Sequence, residues 1–144
     1  MKAENSAKIQ FDSLSANEAF ARVTVAAFLA RLNPSVEEVA DVKTAVSEAV
    51  TNAIIHGYQG EVHTITIEGE LEGDLLTLRV RDEGVGIADI GQAMEPLYTS
   101  RPELERSGMG FLFMEAFMDE VLVESEPGKG TCVTLRKRIG RGKD

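Results

Sequence analysis

The sequence predicts an α/β fold of two layers, in which helices cover one face of a mixed, mostly antiparallel sheet. Three patterns lead to this prediction. The first half carries two helix-start signals, the apolar period changes to two residues from His63, and short strand-like runs separated by glycine turns close the chain. The 144 residues suffice for one domain with its own core, covering residues 1–144.

The composition argues against several classes of function. The net charge of −9 disfavours general electrostatic binding to nucleic acid or to an anionic membrane. Cys132 is the one cysteine, so we expect neither an internal disulfide nor a cysteine-based zinc site. Residues 1–10 have no apolar run typical of a signal peptide, and no segment is long enough to span a membrane. We therefore expect a cytoplasmic protein.

The N-terminal part predicts a strand followed by a helix. Residues 8–12 form the strand candidate. Ser15, with Glu18 three residues later, is typical of a capping box at a helix start, and Asn33-Pro34 ends that helix. The apolar residues at broadly helical spacing are Ala19, Phe20, Val23, Ala27 and Leu29.

The second helix carries two polar residues of chemical interest. Ser35 and Glu38 again predict a capping box, and Gly57 ends the helix. Glu48 and Asn52 are four residues apart, so their side chains lie along one stripe. A carboxylate one turn from a carboxamide can combine a proton acceptor with an oxygen ligand for Mg²⁺, although an ordinary solvated helix face is the alternative. The core face comprises Val39, Val42, Val46, Val50 and Ala53.

From His63 onwards, alternating apolar and polar residues predict two strands joined by a turn at residues 72–74. The inward positions continue in steps of two, and the last step places Asp82 inward. A buried carboxylate is costly unless hydrogen bonds compensate it, from either a salt-bridge partner or the amino group of a ligand. The other inward residues are Ile65, Ile67, Leu71, Leu76, Leu78 and Val80.

Two glycine pairs flank a polar segment. Gly84 and Gly86 follow the predicted hairpin, and Gly108 and Gly110 open an apolar helix. Backbone amides at a helix start, unobstructed by Cβ atoms, form a natural phosphate cradle, but each pair alone is also compatible with a turn. The segment between them, about residues 88–107, is typical of a lid.

The last part of the chain predicts a helix and a hairpin. The helix covers residues 111–118, and strands over residues 121–125 and 131–138 flank a turn at residues 127–130. These strands complete the predicted sheet.

Four sequence boxes in this order resemble the GHKL (Bergerat-fold) ATP-binding family. They are E-x-x-x-N on the second helix, D-x-G-x-G after the hairpin, S-G-M-G before the last helix and G-K-G-T at the last strand. The lid sequence P-L-Y-T-S-R-P-E-L-E-R-S-G-M-G-F and the first-helix sequence N-E-A-F-A-R are similar to the anti-sigma-factor serine kinases of sporulating bacilli. The resemblance covers essentially the whole chain and implies the two-layer fold of that family.

The resemblance implies a role for each matching position. Glu48 would act as general base, Asn52 would bind the Mg²⁺ that accompanies ATP, and Asp82 would accept a hydrogen bond from the adenine amino group. Arg106 is the candidate for contacting the terminal phosphate. The other candidate nucleotide-binding residues are Gly84, Gly86, Thr99, Ser100, Arg101, Ser107, Gly108, Met109, Gly110 and Thr131.

The implied function is that of an anti-sigma factor and protein serine kinase. Such a protein would bind a sporulation sigma factor in its ATP-bound state and phosphorylate a serine on an anti-anti-sigma protein. The family's small kinases are usually homodimers, with a contact expected at the first strand and nearby helix. Glu18 and Arg22 would contact a partner, unless they form an ordinary solvated pair. Alternatives are a nucleotide-gated binding module without phosphoryl transfer, an ATPase whose hydrolysis moves the lid, and an anti-sigma kinase of a stress response.

Overall fold

The computed structural model describes residues 4–94 and 110–140. The strands are β1 (Asn5–Asp12), β2 (Thr64–Glu72), β3 (Leu75–Asp82), β4 (Glu120–Glu126) and β5 (Gly130–Arg138). The helices are α1 (Asn17–Leu29), α2 (Val36–Asn52), α3 (Ile90–Ala93) and α4 (Gly110–Phe117). A 3₁₀ turn at Ala30–Leu32 follows α1, and a π-helical segment at Ala53–Gly57 follows α2.

One five-stranded sheet organises the fold, with the strand order β1-β2-β3-β5-β4. The predicted two-layer α/β fold is confirmed. We expected a mixed, mostly antiparallel sheet, whereas all four pairings within residues 4–94 and 110–140 are antiparallel. The reason is that β4 and β5 form a hairpin, and β5 then inserts beside β3 in the opposite direction.

The helices cover one face of this sheet, and the core lies between the two layers. The inward side chains of β2 and β3 are buried there, including the carboxylate-bearing Asp82 at the end of β3. α2 packs against both α1 and α4. The opposite face of the sheet is charged, with ion pairs between Arg81 and Glu68 at 2.7 Å and between Arg79 and Glu70 at 2.9 Å. The alternation predicted for the hairpin is therefore confirmed.

The start of α2 forms the capping box that the sequence predicts. Glu38 N donates to Ser35 Oγ at 3.1 Å, and Ser35 N donates to Glu38 Oε1 at 2.9 Å. The Glu38 carboxylate also accepts from Gly140 N at 3.0 and 3.1 Å, which ties the chain after β5 to the start of α2. α2 has 17 residues, and no helix in the described ranges is long and apolar enough to cross a membrane.

The start of α1 differs from the prediction. Its N-cap is Ala16, without a side-chain cap, and Ser15 accepts from Glu18 N through its backbone carbonyl at 3.1 Å. The predicted capping box is wrong because the chain enters the helix through a tight backbone turn. Phe20 and Val23 are 49% and 65% exposed. The buried stripe is instead spaced four residues apart, at Ala21, Val25 and Leu29.

Candidate functional site

A cavity of about 290 Å³ lies where the end of α2, the end of β3 and the start of α4 meet. Its volume is just below the range of about 300–1,000 Å³ for small-molecule sites. The lining brings together residues from all four sequence boxes, although these are far apart in the chain: Asn52, Asp82, Gly86, Gly110 and Thr131.

A second, more open groove of about 1660 Å³ adjoins this cavity and shares Asp82 and Thr131 with it. Among the described residues, its lining does not include Asn52 or Gly110. The smaller cavity is the better candidate site, because it would enclose a small molecule more fully. It is also lined by both Asn52 and Asp82.

At one end of the cavity, the start of α4 faces two polar side chains of α2. A Cβ atom on Gly110 would lie 3.2 Å from Glu48 Oε1 and 3.3 Å from both amide atoms of Asn52. Gly110 is the first residue of α4, so the partial positive charge of a helix start faces Glu48 and Asn52. The absence of a side chain at Gly110 keeps this approach open.

The amide of Asn52 is a direct indication that this end fits a ligand. Asn52 Nδ2 is buried and has no hydrogen-bond partner in the described part of the chain. Buried polar groups are nearly always paired, and a phosphate oxygen at the start of α4 would satisfy this donor. No group of three or more acidic, histidine or cysteine side chains able to hold a metal occurs in residues 4–94 and 110–140. A Mg²⁺ ion held by the Asn52 amide oxygen together with phosphate and water oxygens would not need such a group.

At the other end, Asp82 closes β3 with its side chain 8% exposed. Its Oδ1 accepts from Gly84 N at 2.9 Å, and the carboxylate also accepts from the backbone amide of Thr131. Burial raises the pKa of Asp82 to about 6, and the two backbone hydrogen bonds oppose that shift. Within residues 4–94 and 110–140, the hydrogen bonds that compensate its burial come from the backbone amides of Gly84 and Thr131.

The π-helical segment after α2 holds the loop that follows β3. The Gly57 carbonyl accepts from Val85 N at 2.9 Å. A Cβ atom on Gly84 would lie 2.0 Å from that carbonyl oxygen, so only glycine allows this approach. π-helical turns are frequent at functional sites, and here the widened turn brings Gly57 against the Asp82 loop.

Tyr58 makes a second connection to the same loop. The buried phenol oxygen accepts from Glu83 N at 2.8 Å and donates to the Thr64 carbonyl at 2.5 Å. Burial raises the pKa of Tyr58, so the phenol remains a donor at neutral pH. The sequence analysis missed Gly57 and Tyr58 as site residues. The signal was available, because the letters H-G-Y directly follow the helix that carries Glu48 and Asn52.

Gly86 and Thr131 form the wall nearest β4 and β5. Gly86 has a φ of 78°, and a Cβ atom there would lie 2.1 Å from the Glu126 carbonyl oxygen. Thr131 pairs with Asp82 in the sheet register, and its Oγ1 lies 2.7 Å from Ser125 Oγ. Ser125 was also absent from the sequence prediction.

The remaining predicted site residues divide into two groups. Glu18 and Arg22 lie on α1, away from the cavity, and Arg22 Nη1 donates to Ser47 Oγ at 2.7 Å. Their contact with a partner stays a prediction. Most of the predicted lid lies outside the described residues, as do the candidates Thr99, Ser100, Arg101, Arg106, Ser107, Gly108 and Met109.

The sequence matches known proteins over nearly its whole length. Residues 11–137 match the family model described as a histidine kinase-like ATPase domain. The chain is 58% identical to the anti-sigma F factor of Clostridium acetobutylicum, covering 94% of this chain and 95% of the relative. It is 58% identical to the anti-sigma F factor of Geobacillus thermodenitrificans, covering 96% of each chain. For the anti-sigma F factor of a Thermoanaerobacter species, the identity is 56% over 99% of this chain and 100% of the relative.

The fold is also similar to a solved structure. The crystal structure of the RsbU and RsbW domains of a Mycobacterium tuberculosis protein matches with a TM-score of 0.64 at 23% identity. The match covers 94% of this chain and 32% of that chain, so this chain spans about a third of the solved protein. This likeness supports the fold.

Proposed function

Because the chain belongs to the anti-sigma F factors, within the histidine kinase-like ATPase family, we propose that it is an ATP-dependent anti-sigma factor and protein serine kinase. The observation that carries the proposal is the pair of polar ends in one cavity. Asn52 lines one end of the cavity, Glu48 faces Gly110 next to it at the start of α4, and Asp82 lines the other end. ATP has the matching chemistry, with an amino group at one end and phosphates at the other.

At the base end, the Asp82 carboxylate accepts a hydrogen bond from the adenine amino group. Two backbone amides already hold this carboxylate in place, so little reorganisation is needed on binding. Gly84 and Gly86 allow the surrounding backbone to approach the base, and Thr131 lies beside Asp82 on the neighbouring strand.

At the phosphate end, Asn52 would hold Mg²⁺ through its amide oxygen, and the bound ion supplies charge neutralisation for the phosphates. Glu48 accepts the proton of the attacking serine hydroxyl. The serine oxygen bonds to the terminal phosphorus as the bond to the ADP oxygen breaks. Gly110 and the preceding Gly108 cradle the phosphates, and Arg106 contacts the terminal phosphate.

The proposed protein partners are a sporulation sigma factor, bound in the ATP state, and an anti-anti-sigma protein carrying the acceptor serine. α1 carries two exposed apolar side chains, Phe20 and Val23, which are available to a partner. The partly buried Glu18 and Arg22 lie on a different side of the same helix. A homodimer contact is proposed at β1, which is an edge strand of the sheet.

The test uses the whole chain as bait in extracts of its host, in parallel with Mg-ATP and Mg-ADP. Mass spectrometry of the captured proteins, after incubation with labelled ATP, identifies partners and new phosphoserines. The proposal predicts a sigma factor retained in ATP and a small protein phosphorylated on serine. Nucleotide-dependent partners without phosphorylation would favour the gated binding module, and phosphate release without any partner would favour an ATPase.

The matched variants are Glu48→Gln and Glu37→Gln, which make the same change on the same helix. Glu37 is exposed at the start of α2, far from the cavity, so its variant should transfer phosphate normally. Glu48→Gln should bind ATP and the partner but transfer no phosphate, because the proton acceptor is lost. Transfer at the normal rate by Glu48→Gln would refute the general-base assignment.

A further inference from the structure

A row of three polar side chains crosses three strands at the edge of the cavity. Asp82 on β3 pairs with Thr131 on β5, and Thr131 pairs with Ser125 on β4. Directly paired residues of antiparallel strands have their side chains on the same face of the sheet. Asp82 and Thr131 line the cavity, whereas Ser125 lies behind Thr131 and is not among the lining residues described.

Ser125 Oγ makes three hydrogen bonds. Ile87 N donates to it at 2.7 Å, the Gly130 carbonyl lies at 2.9 Å, and Thr131 Oγ1 lies at 2.7 Å. These contacts connect the loop after β3, the start of β5 and the end of β4. Ser125 therefore joins these three segments through hydrogen bonds to a single hydroxyl group.

The number of protons determines the direction of these bonds. A serine hydroxyl has one proton and two lone pairs. The Ile87 amide can only donate, and the Gly130 carbonyl can only accept. All three bonds are satisfied together in one arrangement, in which Ser125 donates to Gly130 and accepts from both Ile87 N and the Thr131 hydroxyl.

This arrangement leaves Thr131 without a proton to offer the cavity. We infer that Ser125 is a positioning residue for base recognition, because it fixes the Thr131 hydroxyl as a hydrogen-bond acceptor beside the Asp82 carboxylate. This inference rests on the proposed role of Asp82 in binding the base. Two neighbouring acceptors match the two hydrogens of a 6-amino group, bound directly or through a water, and oppose a 6-oxo group.

The inference predicts which change would relax the choice of base. In Ser125→Ala, the Thr131 hydroxyl is free to rotate and to donate into the cavity. The affinity for a 6-oxo purine should therefore rise relative to the affinity for a 6-amino purine. Ser125→Thr keeps the hydroxyl and should keep the preference. The matched control is Ser6→Ala, an exposed serine on β1 far from the cavity.

The experiment measures the affinities of ATP and inosine triphosphate by calorimetry on the same preparation of each variant. The ratio of the two affinities is insensitive to the fraction of protein that has folded, so a loss of stability does not obscure the result. Wild type, Ser125→Thr and Ser6→Ala should prefer ATP equally. Ser125→Ala should lower the ratio by about fivefold, as for one neutral hydrogen bond.

A double-mutant cycle with Thr131→Val tests whether Ser125 affects the choice of base through the Thr131 hydroxyl. Without the Thr131 hydroxyl, Ser125→Ala should change the ratio no further. An unchanged ratio in Ser125→Ala, or an equal effect of Ser125→Ala in the Thr131→Val background, would overturn the inference while leaving the proposed function intact. A wild-type protein with no preference for ATP would instead refute the proposed base-binding role, and this inference with it.

Discussion

Gly57, the last residue of the π-helical segment after α2, is in contact with Asp82 at the end of β3. A Cβ atom on Gly57 would lie 2.8 Å from both Cγ and Oδ1 of Asp82 and 2.9 Å from its Oδ2. Since real Cβ atoms do not approach other atoms so closely, any side chain at Gly57 must displace the carboxylate. The position of Asp82 is thus set by the backbone of a segment that is remote in sequence.

Gly57→Ala should therefore weaken ATP binding by at least tenfold, because the displaced carboxylate no longer aligns with the base; this corresponds to about 1.4 kcal/mol. Titration calorimetry with ATP is the measurement. Gly60→Ala is the control, since a Cβ there meets nothing within 4 Å but the φ of 88° is unfavourable for alanine. It should cost about 1 kcal/mol of stability and leave ATP affinity unchanged. Equal affinity losses in the two variants would contradict the contact argument.

The raised pKa of Asp82 predicts a pH-dependent affinity for ATP. The carboxylate accepts a hydrogen bond when ionised, and its pKa of about 6 in the free protein means that it becomes protonated as the pH falls through 6. Affinity should be constant above about pH 7 and decline below about pH 6. Asp82→Asn removes this titration but keeps that of the ATP phosphates, so the difference between the two profiles isolates Asp82. Identical profiles would exclude its involvement.

The same pKa predicts the sign of a stability effect. The pKa of Asp82 is raised in the folded state from an ordinary value of 3.8 to about 6, so the charged form is disfavoured by folding. The cost is fully present above pH 6 and disappears as the pH falls towards 3.8. The free energy of unfolding of the nucleotide-free protein should therefore fall as the pH rises from about 4 to about 6, as measured by urea unfolding at several pH values. Asp82→Asn should lack this component, and an identical pH dependence in the two proteins would refute this account.

Tyr58→Phe removes one hydroxyl that serves two backbone groups. Glu83 N and the Thr64 carbonyl would each lose a buried partner, which should cost about 2 kcal/mol of stability. ATP affinity should also fall, because Glu83 directly follows Asp82. Chemical denaturation and calorimetry on the same samples report both quantities. A variant with the unfolding midpoint of the wild type would show that the phenol does not hold this loop.

Glu38→Ala should affect stability without affecting the site. The change removes the bond from Ser35 N to the Glu38 carboxylate, which is one of the two bonds of the capping box, and the link to Gly140, at a cost of about 1–2 kcal/mol. Glu37→Ala, at the exposed neighbouring position, is the control and should lower the free energy of unfolding by only a few tenths of a kcal/mol. ATP affinity should be the same in both variants. A large loss of affinity in Glu38→Ala would mean that the helix start influences the cavity.

Local patterns predicted much of this molecule. The capping box at Ser35, the inward direction of Asp82 and the open approach at Gly110 each follow from side-chain chemistry or from alternation within one segment. These features depend on neighbours in sequence, so a single chain is enough to reveal them.

Contacts between distant segments could not be predicted in the same way. The approach of Gly57 to the loop after β3 and the three bonds of Ser125 depend on the strand order and on the widened turn after α2. The buried stripe of α1 does not follow from the spacing of its apolar residues for a related reason. Its apolar residues occur on more than one side of the helix, and only packing against α2 decides that Ala21 and Val25 are buried while Phe20 and Val23 are exposed.

The π-helical segment Ala53–Gly57 has the effect of a one-residue insertion between two parts of the site. Each residue of an α-helix advances the chain by about 100°, so deleting one residue from this segment would rotate Gly57 away from Asp82. Glu48 and Asn52, which precede the deletion, would keep their places against Gly110. The proposed phosphate end and the proposed base end of the site therefore depend on different parts of the same helical segment, and a change in chain length at this point would shift one relative to the other.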